Sequence, residues 1–477
     1  MDPTVQILEV RLQVLPVVLP AGPLSVAAHA GPPGGASPWR NPRFRIFAAG
    51  NFANDVGEGA YKVALPLFAY ETTDSLAVMS LLAALAPATL LLSPVLGVYV
   101  DRWGPRSFVV PGLLIQLAGA VALIVSGMAG DISVLAFFVF GAVVQIGGEL
   151  YRAGWMAGVP GMFPDAAARS RGLLSTLFVL SNITGPLMLA ALVPWVGYLG
   201  VLAINALTFL APIAVWLIGV HPPRRLPKSG GMRVSLGGDL AQGWAAVRGE
   251  RRVLYVKLSA LPLHFVSGSG VMAFFFFHLA DELAVGASTI GVAQATANAG
   301  ALAGSLYVTS RSRASPRAVL AIAASGMTLA LVVMPLQHAL GFIALMALFF
   351  GLRSAVTCVS EMILVKFTSE HVLGRAAGLF NLMDGIPLLA APLVIPLLHE
   401  ALGSTGVFLT LGGVATVSLL LIRALWRDWG SGSDTMQRQS LVPPSAVTGV
   451  VRRRRCDTLT TGFPDRRTRD GMDRRPA

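Results

Sequence analysis

Gly97-Val-Tyr-Val-Asp101-Arg102-Trp-Gly104-Pro-Arg106 is a short charged stretch between two long apolar runs. Its charge density is foreign to the apolar runs on either side. Of 477 residues, 54% are hydrophobic and only 13% charged, against roughly 25% charged in soluble domains. The runs on either side, residues 76–99 and 107–128, are each long enough to cross a bilayer core, which takes about 20 residues. A disordered chain would be far less apolar. The composition implies an integral α-helical membrane protein. The excess of 36 basic over 24 acidic residues, +12, does not point to nucleic acid here. Much of it sits in the tail from Arg427 to Ala477, which holds eleven Arg and six Asp.

Outward from that loop, apolar stretches follow one another at 44–70, 76–99, 107–128, 132–157, 172–193, 197–219, 253–279, 288–309, 317–336, 339–365, 375–398 and 404–426. Alternate connections carry the basic residues: Arg40, Arg43 and Arg45; Arg102 and Arg106; Arg169 and Arg171; the segment from Arg224 to Arg252; Arg311, Arg313 and Arg317; Lys366 and Arg375. The other six connections carry no Lys or Arg, only acids such as Glu71, Asp74, Asp281 and Glu400. Positive charge stays on the cytoplasmic side, so both termini are expected inside, in a bacterial inner membrane. The polar insert from His221 to Arg252 divides twelve spans into six and six. Leu236, Leu240 and Trp244 within it have helical spacing and read as an amphipathic helix on the inner surface.

The fold expected is therefore all-α and integral to the membrane, with twelve transmembrane helices in two pseudo-symmetric six-helix bundles. The bundles are expected at 41–220 and 253–427, joined by a linker at 221–252 and flanked by disordered tails at 1–40 and 428–477. The halves echo each other. Gly304-Ser-Leu-Tyr-Val-Thr-Ser-Arg311-Ser-Arg313 stands where Gly97–Arg106 stands in the first half. Arg171 and Arg375 each open a fifth span, with Pro186 and Pro392 following. Such repeats are expected of a transporter that works by alternating access.

The stretch Gly97–Arg106 resembles the signature of the major facilitator superfamily between its second and third spans. Within that superfamily the chain resembles bacterial drug:proton antiporters, among them macrolide and siderophore exporters. Asn41-Pro-Arg43-Phe-Arg45 and Gly57-Glu58-Gly59-Ala-Tyr61-Lys62-Val-Ala-Leu65-Pro66 are similar to that subgroup's first span. Asp239-Leu-Ala-Gln-Gly243-Trp, Ile290-Gly291-Val-Ala-Gln294 and Gly300-Ala-Leu-Ala-Gly304 are similar to stretches near its seventh and eighth spans. Of the exporters' fifth-span glycine motif only Gly185-Pro186 remains, followed by Leu187-Met188-Leu189-Ala190. In the loop, Gly97 is expected to allow close helix contact, Gly104 to make the turn, and Asp101, Arg102 and Arg106 to gate the bundle interface.

Charges inside spans are costly, roughly 2.5–3.5 kcal/mol each at a helix centre, so they mark function or pairing. Asn51, Asp55, Glu58 and Lys62 fall on one stripe about 60° wide at about 100° per residue. Asp55 or Glu58 is a candidate proton carrier or substrate contact, with Lys62 pairing to Glu58 at four residues' spacing. Gln145, Glu149 and Arg152 repeat the device in the fourth span, where Glu149 and Arg152 are expected to neutralise each other. In the second half, Arg353, Glu361 and Asp384 need partners from other helices, and Asp384 is a candidate cavity residue. His264 and His278 fall on one face of the seventh span, and Phe274–Phe277 reads as lipid-facing or core.

These features point to a secondary transporter that moves a small amphipathic molecule, by efflux in exchange for protons, as a monomer. A metabolite importer, a uniporter, or a non-transporting receptor or assembly factor of the same fold are the alternatives. There is no phosphate-binding Gly-Lys-Ser/Thr loop, no H-E-x-x-H and no paired Cys/His ligand set. No enzyme activity, cofactor or metal is expected.

Overall fold

The computed structural model describes residues 37–92, 96, 99–100, 102–130, 132–223, 236–310 and 315–426. These fall in one compact unit that ends at Trp426. The lead-in before residue 37, the linker 224–235, the tail with its Arg452–Arg455 run, and Gly97 and Asp101 of the charged loop lie outside the described residues. Every regular element among the described residues is helical.

The chain enters with a 3-10 turn at Pro38–Arg40, inside the stretch read as tail, and Trp39 there meets Phe44 edge-on at 5.3 Å. Helix α1, Pro42–Thr73, starts because Asn41 accepts the Arg43 amide at 2.9 Å and Pro42 presets the first turn. It ends at Asp74, whose φ of 51° is left-handed. The second span is broken into α2, Leu76–Ala83, and α3, Leu85–Leu90. Then come α4, Arg106–Met128, and α5, Val134–Met162, the latter capped by Ser133.

Next, α6 runs Ala167–Thr208 without a polar loop, interrupted only at Gly197, with φ 64° and ψ −178°. The chain doubles back there. Gly59 of α1 packs on Ser181 and Gly185, while Gly57 packs on Asn205 and Thr208. Residues so far apart along one straight helix could not both touch neighbouring turns of α1. α7, Leu210–Leu217, continues the second arm.

In the second half, α8 spans Leu236–Gly249, where the amphipathic helix is expected, and its Gly243 packs on the Arg375 backbone. The seventh span is two helices, α9 (Arg251–Phe265) and α10 (Ser269–Phe277), followed by a π-helical turn at His278–Glu282. Gly268 and Gly270, at the break, press against Leu388, Ala391 and Pro392. α11 is Ala287–Ser310, α12 Pro316–Val333 and α13 Ala339–Phe367. Finally α14, Glu370–Leu425, bends at Gly403, with φ 67° and ψ 176°. His399 and Phe408, one on each side of that bend, both meet Phe274, at 6.1 and 5.0 Å.

Among the described residues, seven stretches qualify by length and apolarity as membrane crossings, and two of them, Pro164–Leu217 and Arg375–Leu425, are the bent pairs. α1, with Asp55, Glu58 and Lys62, is not among them. Small residues close the helix pairs. Gly112 and Gly147 bring α4 onto the backbone of α5, and Gly300 and Gly304 bring α11 onto Ala347 and Gly351 of α13. Phe274 to Phe277 all lie in the core rather than on the surface, packed with Phe342, Phe349 and Phe408.

The parts before and after the 221–252 segment meet at several places, Leu91 lying near Gly385 among them. Tyr70 donates to Asp281 at 3.1 Å, Gly291 of α11 packs on Pro186 and Ala190 of α6, and the Asn298 amide donates to the Asn182 carbonyl.

Candidate functional site

The polar stripe of α1 faces into the protein. Asp55 and Glu58 are buried, at 5% and 8% exposure, although both are acids in an apolar bundle. Glu58 is the hub of a charge cluster. Lys62 Nζ stands 2.8 Å from its Oε1, one helical turn on. Arg152 of α5 reaches across to donate to both Glu58 oxygens, at 2.9 and 3.1 Å. Phe178 of α6 lies under both cations, 4.8 Å from the Arg152 guanidinium and 5.8 Å from the Lys62 ammonium. Glu149 is only a distant partner, at 3.9 Å from Arg152. The expected Glu149–Arg152 pair is thus present but long, and a closer cross-helix pair adds to it, because Glu58 offers both oxygens to the planar guanidinium.

Asp55 is placed differently. Its Oδ2 accepts from Asn51 Nδ2 at 2.7 Å, and Tyr151 in turn donates to Asn51 Oδ1 at 3.1 Å. Among the described residues no cation lies within ion-pair distance of it. Three carboxylates, Asp55, Glu58 and Glu149, share this region with two cations, and both cations are drawn to Glu58.

The second half holds its own cluster. Lys257 of α9 is wholly buried, with Nζ 2.6 Å from Asp384 Oδ2 on α14 and 4.2 Å from the centre of the Phe380 ring. His264 Nε2 lies 3.3 Å from the other oxygen, Oδ1. Asp384 is the more open member, with a fifth of its side chain exposed. Asp384 was legible as a residue in need of a partner. Lys257 was missed, although its position seven residues before His264 puts both on one face of a helix. His264 and His278 lie on either side of the break between Phe265 and Ser269 and have different neighbours. His278 is caged by Phe274, Phe342 and Phe408, and its Nδ1 stands 2.9 Å from Glu282.

Gly185 and Pro186 act as a joint rather than a charge site. Gly185 touches Val56 and Ala60 of α1, and the Pro186 carbonyl faces Gly291 of the other half. In the charged loop, Gly104 has φ 84° and makes the turn. Arg106 lies 5.2 Å over the Trp216 ring, within the first half, and Arg102 is exposed. Neither touches the second half in the contacts seen. A cavity of about 970 Å³ between α11, α12 and α13 is walled by Gly, Ala, Ser and aliphatic residues with Tyr307, far from these charges in chemistry. Among the described residues, no group of His, Cys, Asp and Glu is arranged to hold a metal.

A family model described as Major Facilitator Superfamily matches residues 47–278. No curated protein matches the sequence. Among solved structures, the nucleoside transporter NupG is similar with TM-score 0.65 at 12% identity, covering 81% of this chain and 100% of that one. A POT family transporter in complex with a thioalcohol-conjugated peptide has TM-score 0.62 at 14% identity, covering 80% and 95%. A bacterial homologue of the iron transporter ferroportin, in an inward-facing state, has TM-score 0.60 at 16% identity, covering 82% and 98%. At such identities the likeness is one of fold.

Proposed function

We propose that this transporter of the major facilitator superfamily exports a small amphipathic molecule across the bacterial cytoplasmic membrane in exchange for protons. It does so as twelve spans in two six-helix bundles, with both termini in the cytoplasm, acting as a monomer. The bent pairs at Gly197 and Gly403, added to the single crossings, support that count. The basic connections support the orientation.

The observation that carries the reading is the isolation of Asp55. A buried carboxylate without a cation is costly when ionised, and Glu58 already engages both Lys62 and Arg152. Asp55 is thus the acid free to take and release a proton. Tyr70 and Asp281 join the halves at the end that the charge pattern puts outside, and we read that joint as the outer gate in its closed form. Substrate enters from the cytoplasmic side while Asp55 gives its proton to the cytoplasm. The halves then rock, the Tyr70 end parts, and an external proton reaches Asp55 as substrate leaves.

The test is susceptibility of an efflux-deficient bacterium to a panel of amphipathic dyes and antibiotics, with and without a protonophore. Expression of the chain should lower accumulation in a protonophore-sensitive way, and Asp55→Asn should abolish that effect while the protein still reaches the membrane. Extrusion by Asp55→Asn at the normal rate and pH dependence would refute the proton assignment.

A further inference from the structure

One turn carries both a contact that joins the halves and a buried histidine beside a carboxylate. In the π-helical turn His278–Glu282, Asp281 accepts from Tyr70 at 3.1 Å, and the next residue, Glu282, stands against His278. His278 is buried, at 3% exposure, while Glu282 reaches the surface. Their nearest atoms, Nδ1 and Oε2, are 2.9 Å apart, yet neither ring nitrogen has an aligned hydrogen-bond partner among the described residues. A neutral imidazole gains little from a misaligned contact, because hydrogen bonds are directional. An imidazolium gains from charge at that distance in any alignment. The Phe342 ring acts in the same sense: its centre is 5.0 Å away and its plane tilted by 31°, within the range at which an aromatic face attracts a cation. Burial opposes the charge, and the carboxylate beside it offsets that cost.

Other titratable groups on the elements packed round this turn are few. α1 brings Tyr70, engaged with Asp281, and Glu71 and Asp74 at its end. α14 brings Glu400 and His399, whose ring meets Phe277 edge-on at 4.8 Å and whose Nδ1 is 3.3 Å from the Ser404 hydroxyl. α13 starts after His338, and α2 and the adjoining end of α11 carry none. None of these is a lysine or arginine, which leaves Glu282 to His278.

We infer that His278 and Glu282 form a second proton-binding site, at the outer gate, and that a proton held there keeps the gate closed. Protonated, His278 pins Glu282 and so fixes the turn that presents Asp281 to Tyr70. Without the proton the turn is free to return to α-helical register. A shift of one residue would carry Asp281 about 100° round the helix axis and off Tyr70. Glu282, at the surface, gives the outer medium access to the buried ring. Acid outside therefore holds the halves together at this end. This rests on the transport role and outer gate proposed above, and it makes the proton a regulator of that gate besides the ion carried by Asp55.

The full chain in nanodiscs, spin-labelled at Thr72 and at Gly286, where a side chain meets nothing within 4 Å, gives the test by pulsed distance measurement. Samples are compared at about pH 5 and about pH 8, the range in which histidine changes charge. Asp55→Asn is present throughout, so the proton assigned to Asp55 contributes nothing. Raising the pH should increase the ratio of long to short distances roughly two- to tenfold. His278→Gln should flatten that dependence, Glu282→Gln should flatten it likewise, and His399→Gln should leave it in place. A flat profile with His278 present, a dependence of opposite sign, or one that outlives His278→Gln overturns the proposal, as does its loss in His399→Gln alone. If His278→Gln fails to accumulate, Glu282→Gln decides by the same criteria. Protonophore-sensitive extrusion by the chain with its native Asp55 is read separately: its persistence beside a flat distance profile leaves the transport role standing.

Discussion

Tyr70 of the first half donates its hydroxyl to Asp281 of the second at 3.1 Å, and its ring meets Phe277 edge-on at 5.5 Å. The two residues are 211 positions apart. Asp281 lies in the π-helical turn that also holds His278 and Glu282, and single π turns inside helices recur at functional sites. This contact must break whenever the halves part at that end.

Tyr70→Phe keeps the ring contact and removes only the hydrogen bond. A net loss of about 0.5–1.5 kcal/mol should move the equilibrium between the two open states by roughly two- to tenfold away from the described one. Spin labels at Thr72 and Leu283, read by pulsed distance measurement, should show a larger population of long distances. An unchanged distribution would mean the bond does not bias the gate.

Glu58→Gln should be the most damaging single change in the first half, because one carboxylate serves both Lys62 and Arg152. Removing one partner of a buried pair costs about 3–5 kcal/mol, and partial exposure of the two cations brings this to about 2–3 kcal/mol. Lys62→Met should cost less, since Arg152 still holds Glu58. Thermal unfolding of the purified variants gives the ranking, and a reversed order would show that Lys62 is the principal partner.

Gly185→Ala should weaken the protein where Gly172→Ala does not. A methyl at 185 would sit 2.5 Å from the Val56 carbonyl and 2.7 Å from the Ala60 nitrogen, backbone atoms that yield only if whole helices separate. Overpacking of this kind costs about 1–3 kcal/mol. At Gly172, on the same helix, nothing lies within 4 Å, and alanine there should be neutral or stabilising. Equal melting temperatures for the two variants would contradict the packing.

Gly104→Ala tests the turn of the charged loop. A φ of 84° is open to glycine and strained for alanine, by about 1–2 kcal/mol. The variant should melt lower and turn over more slowly, and activity equal to the unmodified chain would show that the loop can adopt another path.

What was legible in the sequence was what depends on neighbours along the chain. The stripe Asn51, Asp55, Glu58 and Lys62 follows from helical spacing, and its internal pairs, Asn51–Asp55 and Glu58–Lys62, formed as that spacing requires. Gly104 at the turn followed from its missing Cβ. Partners brought together by tertiary packing were not legible: Arg152 holds Glu58 on another helix more closely than Glu149 on its own, and Asp384 found Lys257 and His264 across the bundle. Apolarity alone also hid the breaks at Ala84 and between Phe265 and Ser269. A run such as Phe274–Phe277 reads the same whether it faces lipid or core, and only packing against Phe342, Phe349 and Phe408 decided it.

The bends at Gly197 and Gly403 have a bearing on how the chain is made. Each reverses direction in a single glycine, the first among residues as apolar as Val193 and Trp195 and the second with only His399, Glu400, Ser404 and Thr405 as polar neighbours, so neither offers a translocation channel a long hydrophilic segment to thread. The first arm of either pair would leave the ribosome with no outer domain to pull it through, so the two arms should partition into lipid together as one hairpin. Lengthening either bend with a polar insert would then test biogenesis rather than activity, through the yield of correctly inserted protein.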